Sequence, residues 1–290
     1  MLKASVNGLF SKKKTTSRSR PFREYYSEWF NLLKNSLLPR LRLSIHGSSI
    51  AQLSTQVDVV RAHFHSYYDA LDLAAQNDGV AQLLFPDWRN PLEKPFLWLG
   101  DLHPYLFTNL LRSFLENDDA NEEDDDQNDV VFEELAGRVL GNDELFNRPW
   151  HIVMAWKNAS EAALMGRIEQ IECGLRLMVP ALVARARKAQ AGFVEAIAED
   201  WAAGKREAAE EAVGRALTGQ MEEMVGVFVD ANRLRRSVLA EIVGATSVYQ
   251  AALFLEGLAQ FLVGFRDPDL VGEFESCKVP LSKISRFQSL

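Results

Sequence analysis

The chain is poor in residues that staple or interrupt structure. Its 290 positions include two cysteines, Cys173 and Cys277, far apart in sequence. That pair builds neither a disulfide framework nor a cysteine-based zinc pattern, and it suits a reducing compartment. Ten prolines and 17 glycines are too few for the many turns of a sandwich or barrel. Long apolar runs are also missing. The most apolar late stretch, Leu253 to Phe265, is interrupted by Glu256 and Gln260 and is too short and polar to span a bilayer. The opening MLKASVNGLFSKKKTTSRSR lacks the apolar run of a signal peptide.

Motifs that carry chemistry are equally scarce. Gly204-Lys205-Arg206 lacks both the upstream glycine and the Ser/Thr of a phosphate loop. There is no nucleophile elbow and no dinucleotide fingerprint. Of the five histidines, His63 and His65 lie two apart on a predicted helix. They point about 200° apart and cannot share a metal. The acidic run fails the EF-hand test. Counted from Asp124, position six is Asp129 instead of Gly, and position twelve is Leu135 instead of Glu. No catalytic residue, no metal ligand and no cofactor is therefore expected, and the reading is of a binding protein and not an enzyme.

What remains is helical patterning and two charged segments. Residues 1–20 hold six basic side chains and no acidic ones, a composition that buries no core and predicts a disordered leader. Lys12, Lys13, Lys14, Arg18 and Arg20 could meet anionic lipid at roughly 1 kcal/mol each. The same charges could instead be read as an import signal. The net charge of −8 comes from one place. Residues 116–134 carry eleven acidic side chains and no basic ones, so the rest sums to +3. In that insertion, Asp118, Asp119, Glu122, Glu123, Asp124, Asp125, Asp126 and Asp129 form a solvated strip suited to docking a basic partner.

Between these segments the spacing predicts helices. Phe22, Tyr25, Tyr26, Trp29, Phe30, Leu33, Leu37 and Leu41 recur every three or four residues, with Pro21 placed in the first turn. A second helix follows Ser48 or Ser49, with a stripe from Ile50 through Leu53, Val57, Val60, Phe64, Tyr67 and Tyr68 to Leu71. Asn90, Pro91 and Glu93 resemble a capping box for a short helix that Pro95 bends and Gly100 stops. Pro104 opens another helix, with Leu106, Leu110, Leu111, Phe114 and Leu115 on one side. From about Pro149 the pattern is helical nearly to Asp267, with a kink expected at Pro180 and breaks or bends at Gly192, Gly204, Gly219 and Gly244. Residues 22–115 hold 15 of the 29 aromatics, so this part should be aromatic-cored. The expected fold is all-α, a multi-helix bundle of long antiparallel helices. A domain over 21–267 follows the leader, and a flexible tail covers 268–290.

The run FLWLGDLHPYLFTNLLRSFL, in which Phe96, Leu97, Trp98, Leu99, Gly100, Pro104, Leu110 and Leu111 stand out, resembles the signature of the plant delay-of-germination domain. That domain occurs in seed-dormancy regulators and in TGACG-binding bZIP factors. FREYYSEWF, VDVVRAHFHSYYDALDLAA and DANRLRRSVLAEIVGATSVYQAALFLEGLAQFL are similar to its first, second and closing helices, and the resemblance covers about residues 22–266. The domain begins at Phe22, leaving no room upstream for a basic region and zipper, so direct sequence-specific DNA binding is not expected. A basic leader and a long acidic insertion after HPYLFTNLLRSFL resemble the inaperturate-pollen branch of the family. That resemblance implies a non-catalytic scaffold. It would act with partner proteins in the cytoplasm and at plasma-membrane patches of microspores, where exine is not deposited. The alternative is a transcription-associated regulator in the nucleus that binds bZIP-type partners.

Overall fold

The computed structural model describes residues 21–75, 79–115, 161–202 and 206–276. Among these the fold is all-α apart from one two-residue hairpin. Helices α1 (Phe22–Leu32) and α2 (Leu38–Gly47) are joined by a π-helical turn, Leu33–Leu37, into one continuous rod. The turn has a local cause. Pro39 has no N–H and its ring crowds the carbonyl four residues back. Widening the helix just before it, with the Leu38 N–H donating to the Leu33 carbonyl, accommodates the proline without breaking the rod. Pro21 stands one place outside the helix, as its N-cap.

Helix α3 (Ile50–Ala74) starts at Ser49, whose hydroxyl caps the Gln52 N–H while the Gln52 side chain returns to the Ser49 N–H. Its expected stripe is buried from Leu53 to Leu71, but Ile50 is 77% exposed. Ile50 is the first residue after the cap, and side chains on a helix lean toward its N-terminus, so this one overhangs the end of the bundle. Helix α4 (Val80–Leu84) is short. A 3₁₀ turn (Lys94–Phe96) then leads into strands β1 (Leu97–Trp98) and β2 (Asp101–Leu102), which pair antiparallel, and into α5 (Tyr105–Leu115).

The C-terminal part supplies two long helices, α6 (Glu161–Ala202) and α7 (Arg206–Ala245), then α8 (Val248–Gly264) and α9 (Pro268–Ser276). The first two form an antiparallel hairpin. Arg167 pairs with Glu241, and Arg185 pairs with Glu223 and Asp230, so rising numbers on one helix meet falling numbers on the other. At 42 residues α6 is about 63 Å long. It remains one helix through Pro180 and Gly192, and α7 runs through Gly219, so none of these ends a helix.

Helix α8 is the centre of the molecule. Residues 250–262 are all buried, including Gln250, Glu256 and Gln260. A helix apolar on all sides must be surrounded, and α8 packs against α2, α3, α5 and α7. Glu256 is matched by Arg42 at 3.0 Å and by Gln260. Helix α9 falls within the expected tail. It is started by Asp267, whose carboxylate accepts the Asp269 and Leu270 N–H groups, with Pro268 at the first helical position.

Replacing either capping serine, Ser49→Ala or Ser247→Ala, is expected to cost about 1 kcal/mol in urea unfolding. Leu53→Ala is expected to cost about 2–5 kcal/mol, whereas the neighbouring Ile50→Ala stays within about 0.5 kcal/mol.

Candidate functional site: the signature hairpin and its arginine clamp

The segment from Asn90 to Pro104 is where the sequence pattern is densest and where the buried charges converge. The expected capping box is present. Asn90 Oδ1 accepts the Glu93 N–H at 3.0 Å, and Glu93 Oε2 accepts the Asn90 N–H at 3.0 Å. It opens only turns and a 3₁₀ segment, because Pro95 follows too soon for a helix to grow. The expectation of a helix stopped at Gly100 is therefore corrected. Leu97 to Leu102 is not helical, and Gly100 is the second residue of a tight hairpin turn between β1 and β2. Leu99 has φ 45° and Gly100 has φ 87°, the pair of left-handed residues that suits a two-residue hairpin. A Cβ at Gly100 would lie 2.3 Å from the Leu83 carbonyl oxygen and 2.8 Å from the Phe228 ring, so glycine is required on both counts.

The side chain that holds this hairpin is Arg235, on α7 and fully buried. Its Nε donates to the Leu102 carbonyl at 2.7 Å, and Nη1 donates to Asn232 Oδ1 at 2.7 Å. Nη2 faces the carbonyls of Trp98, Leu99 and Asp101, and the guanidinium lies 5.4 Å from the Trp98 ring centre. Burial lowers its pKa, and Asp101 nearby works the other way. An arginine starts high enough to stay charged regardless. The adjoining turn of α7 grips α3: Arg236 bonds Asp69 at 2.6 Å and Asp72 at 2.7 Å, and Asn232 bonds Asp72 at 2.8 Å.

A second arginine cluster lies on the other side of Asp101. Arg89 bonds Asp101 Oδ1 at 2.5 Å and the Tyr67 hydroxyl at 2.9 Å, with its guanidinium 4.8 Å from the Tyr26 ring centre. Glu93 Oε1 stands between Arg89 at 3.9 Å and Arg266 at 3.6 Å. Arg266 donates to the Trp88 carbonyl at 3.1 Å and stacks on Phe30 at 4.5 Å. Asn90 Nδ2 donates to the Phe265 carbonyl at 2.5 Å, tying the hairpin segment to the end of α8. Two cations face two carboxylates, and burial holds the Tyr67 and Tyr68 phenols neutral by raising both pKa values.

The cluster is a closed, charge-balanced junction. Arg89, Glu93 and Asp101 are all at least 97% buried, so none is placed to exchange protons with a substrate in solvent. Among the described residues no group of three or more His, Cys, Asp or Glu side chains could hold a metal ion. The signature residues serve the junction. Phe96 packs edge-on to Phe261 at 5.6 Å, Pro104 is buried just ahead of α5, and Leu111 is buried in the core. Leu110 packs beside Gly257 of α8. The leader positions Lys12, Lys13, Lys14, Arg18 and Arg20 lie outside the described residues, as does the acidic strip from Asp118 to Asp129. Sequence reasoning singled out the apolar signature and missed the arginines that receive it. The available signal was Arg235 falling at helical spacing among Phe228, Ala231, Val238, Leu239 and Ile242, which are buried.

Comparison with known proteins shows the family of the chain. Residues 36–113 match the family model described as DOG1, seed dormancy control, so the class is that of proteins carrying the seed dormancy control domain. The chain belongs to the inaperturate-pollen family within that class. It is 46% identical to Protein INAPERTURATE POLLEN1 of Arabidopsis thaliana over 283 residues, which cover 93% of this chain and 98% of the relative. It is 33% identical to the Protein INAPERTURATE POLLEN 1 homolog of Oryza sativa subsp. japonica, over 89% of this chain and 90% of that one. Transcription factor TGA2 of Arabidopsis thaliana is 34% identical over only 92 residues, covering 31% of this chain and 27% of the factor.

Two predictions follow from the geometry. Arg235→Met strands the hairpin carbonyls and is expected to cost about 3–5 kcal/mol, as large as the loss from breaking a buried ion pair. Arg235→Lys should fail to restore it, since an ammonium cannot fan out to as many acceptors. The second prediction concerns pH. Burial lowers the pKa of His63, with its bond to the Trp29 carbonyl opposing, and burial and Arg235 lower that of His103. The unfolded chain therefore binds these protons more readily. The stability involved is complete above the unfolded value of about 6.5 and is lost as pH falls below it. Melting temperature should drop between about pH 7 and pH 5, and His63→Phe, which keeps a ring on Trp29, should flatten that drop.

Proposed function

We propose that the chain is a non-catalytic scaffold of pollen aperture formation, acting with partner proteins at plasma-membrane patches of developing microspores where exine is not deposited. The observation that carries this reading is the near end-to-end likeness to Protein INAPERTURATE POLLEN1 of Arabidopsis thaliana. The closed arginine junction supports the non-catalytic half, since its polar groups hold a fold together and face no substrate. Among the described residues no single helix is long and apolar enough to cross a membrane. Attachment would then be peripheral, and Lys12, Lys13, Lys14, Arg18 and Arg20 supply the charge for anionic lipid. The acidic strip offers a contact of opposite sign for a basic partner.

A second reading rests on the 92-residue likeness to TGA2: a transcription-associated regulator that meets bZIP-type partners through the shared helices. Localisation separates the two. A fluorescently tagged copy in developing microspores is expected at discrete plasma-membrane patches, and deleting residues 1–20 should disperse it. Signal confined to nuclei would overturn the scaffold reading. Neutralising Asp118, Asp119, Glu122, Glu123, Asp124, Asp125, Asp126 and Asp129 should weaken partner capture while moving the melting temperature by less than about 2 °C.

A further inference from the structure

The α6–α7 hairpin reaches well past the body of the protein. Beyond the Arg185–Glu223 ion pair, no described side chain over 187–198 or 213–223 is buried. On the outer face of α6, residues 173, 177, 180, 184, 187, 191, 194 and 198 are all exposed. Their spacing alternates four and three without a break, which is the a/d seam of a coiled coil. Leu177 is 72% and Val194 is 63% exposed on that seam. Ala184, Ala191 and Ala198 lie between and beyond them, small enough to let a second helix approach closely, and Arg187 is the one charge in the row.

The charges beside the seam say which helix fits. Lys188 and Glu195 lie one heptad apart on the same edge of the helix, on either side of Ala191 and Gly192. An identical helix laid antiparallel about a two-fold axis at that point sets each Lys188 against Glu195 of the other copy, in two places at once. The same placement sets Ala191 against Val194 of the second copy. It also lets the stem of Arg187 lie along the seam with its head toward the second Glu195. An interface of this kind is closed by its symmetry and recruits no third copy.

We propose that the outer face of α6 is a self-association surface. There two copies pair antiparallel through the Ala184–Ala198 seam, and their two hairpin tips form a four-helix layer. The contact is small, so the pairing depends on concentration and is favoured where copies gather.

The test is sedimentation of the full chain carrying Cys173→Ser and Cys277→Ser. A reversible dimer is expected at concentrations on the order of 100 µM. Lys188→Glu and Glu195→Lys should each weaken it roughly tenfold, since each turns two attractions into repulsions. The double variant should restore it. In the same background, Lys188→Cys with Glu195→Cys should give a covalent dimer on oxidation. Either cysteine alone should not, because across the two-fold it lies seven residues, about 10 Å, from its own counterpart; the same separation rules out a bridge within one helix when both are present. A chain that stays monomeric overturns the proposal. So does a dimer indifferent to the single reversals, or one that the double reversal fails to rescue.

Discussion

The buried guanidinium of Arg235 is the constraint to which the rest of the structure answers. A two-residue β-hairpin in an otherwise helical protein has almost no hydrogen bonds of its own, and here its carbonyls point into the interior. Buried carbonyls without donors are costly. One arginine reaches the carbonyls of four hairpin residues, Trp98, Leu99, Asp101 and Leu102, with a planar, multiply donating head that lysine lacks. That fixes where α7 crosses the hairpin, and so where the α6–α7 pair leaves the body. Gly100 is the matching requirement on the other side, because the turn can press against Leu83 and Phe228 only without a side chain.

The second cluster extends the same logic to the chain ends. Arg89 joins the hairpin carboxylate Asp101 to Tyr67 of α3, and Arg266 brings the end of α8 against Trp88, Tyr26 and Phe30. Elements from four distant parts of the chain therefore meet around a few buried charges. Such a junction contributes specificity more than net stability, since each ion loses its water on burial. It places the signature residues in the frame of the molecule.

Much of the frame was legible because periodicity reports burial. The stripes of α1–α2 and α3 are readable at spacings of three and four, and the caps at Ser49 and Asn90 are local patterns. What escaped was decided by contacts distant in sequence. Phe96 to Asp101 reads as a helix stopped by glycine; its hairpin form depends on Pro95 locally and on Arg235, more than 130 residues later. The π turn before Pro39 and the capped helix after Asp267 were both legible in principle, from a proline inside a rod and an Asp-Pro start. The pairing of Arg89 with Asp101 and of Glu93 with Arg266 was not, because no sequence spacing encodes it.

The place of α8 at the centre has a consequence for how the protein is made. Helices α2, α3 and α5 bury part of their apolar faces against α8, a segment that begins 133 residues after α5 ends. At ordinary rates of synthesis, the N-terminal helices leave the ribosome on the order of ten seconds before α8 completes their core. Phe96 and Phe114, whose partners include Phe261, Phe265 and Gly257, must wait in solvent, or in the care of a chaperone, until α8 arrives. The domain is thus completed only when α8 is made, and a message cut short before it would leave the apolar faces of α2, α3 and α5 uncovered.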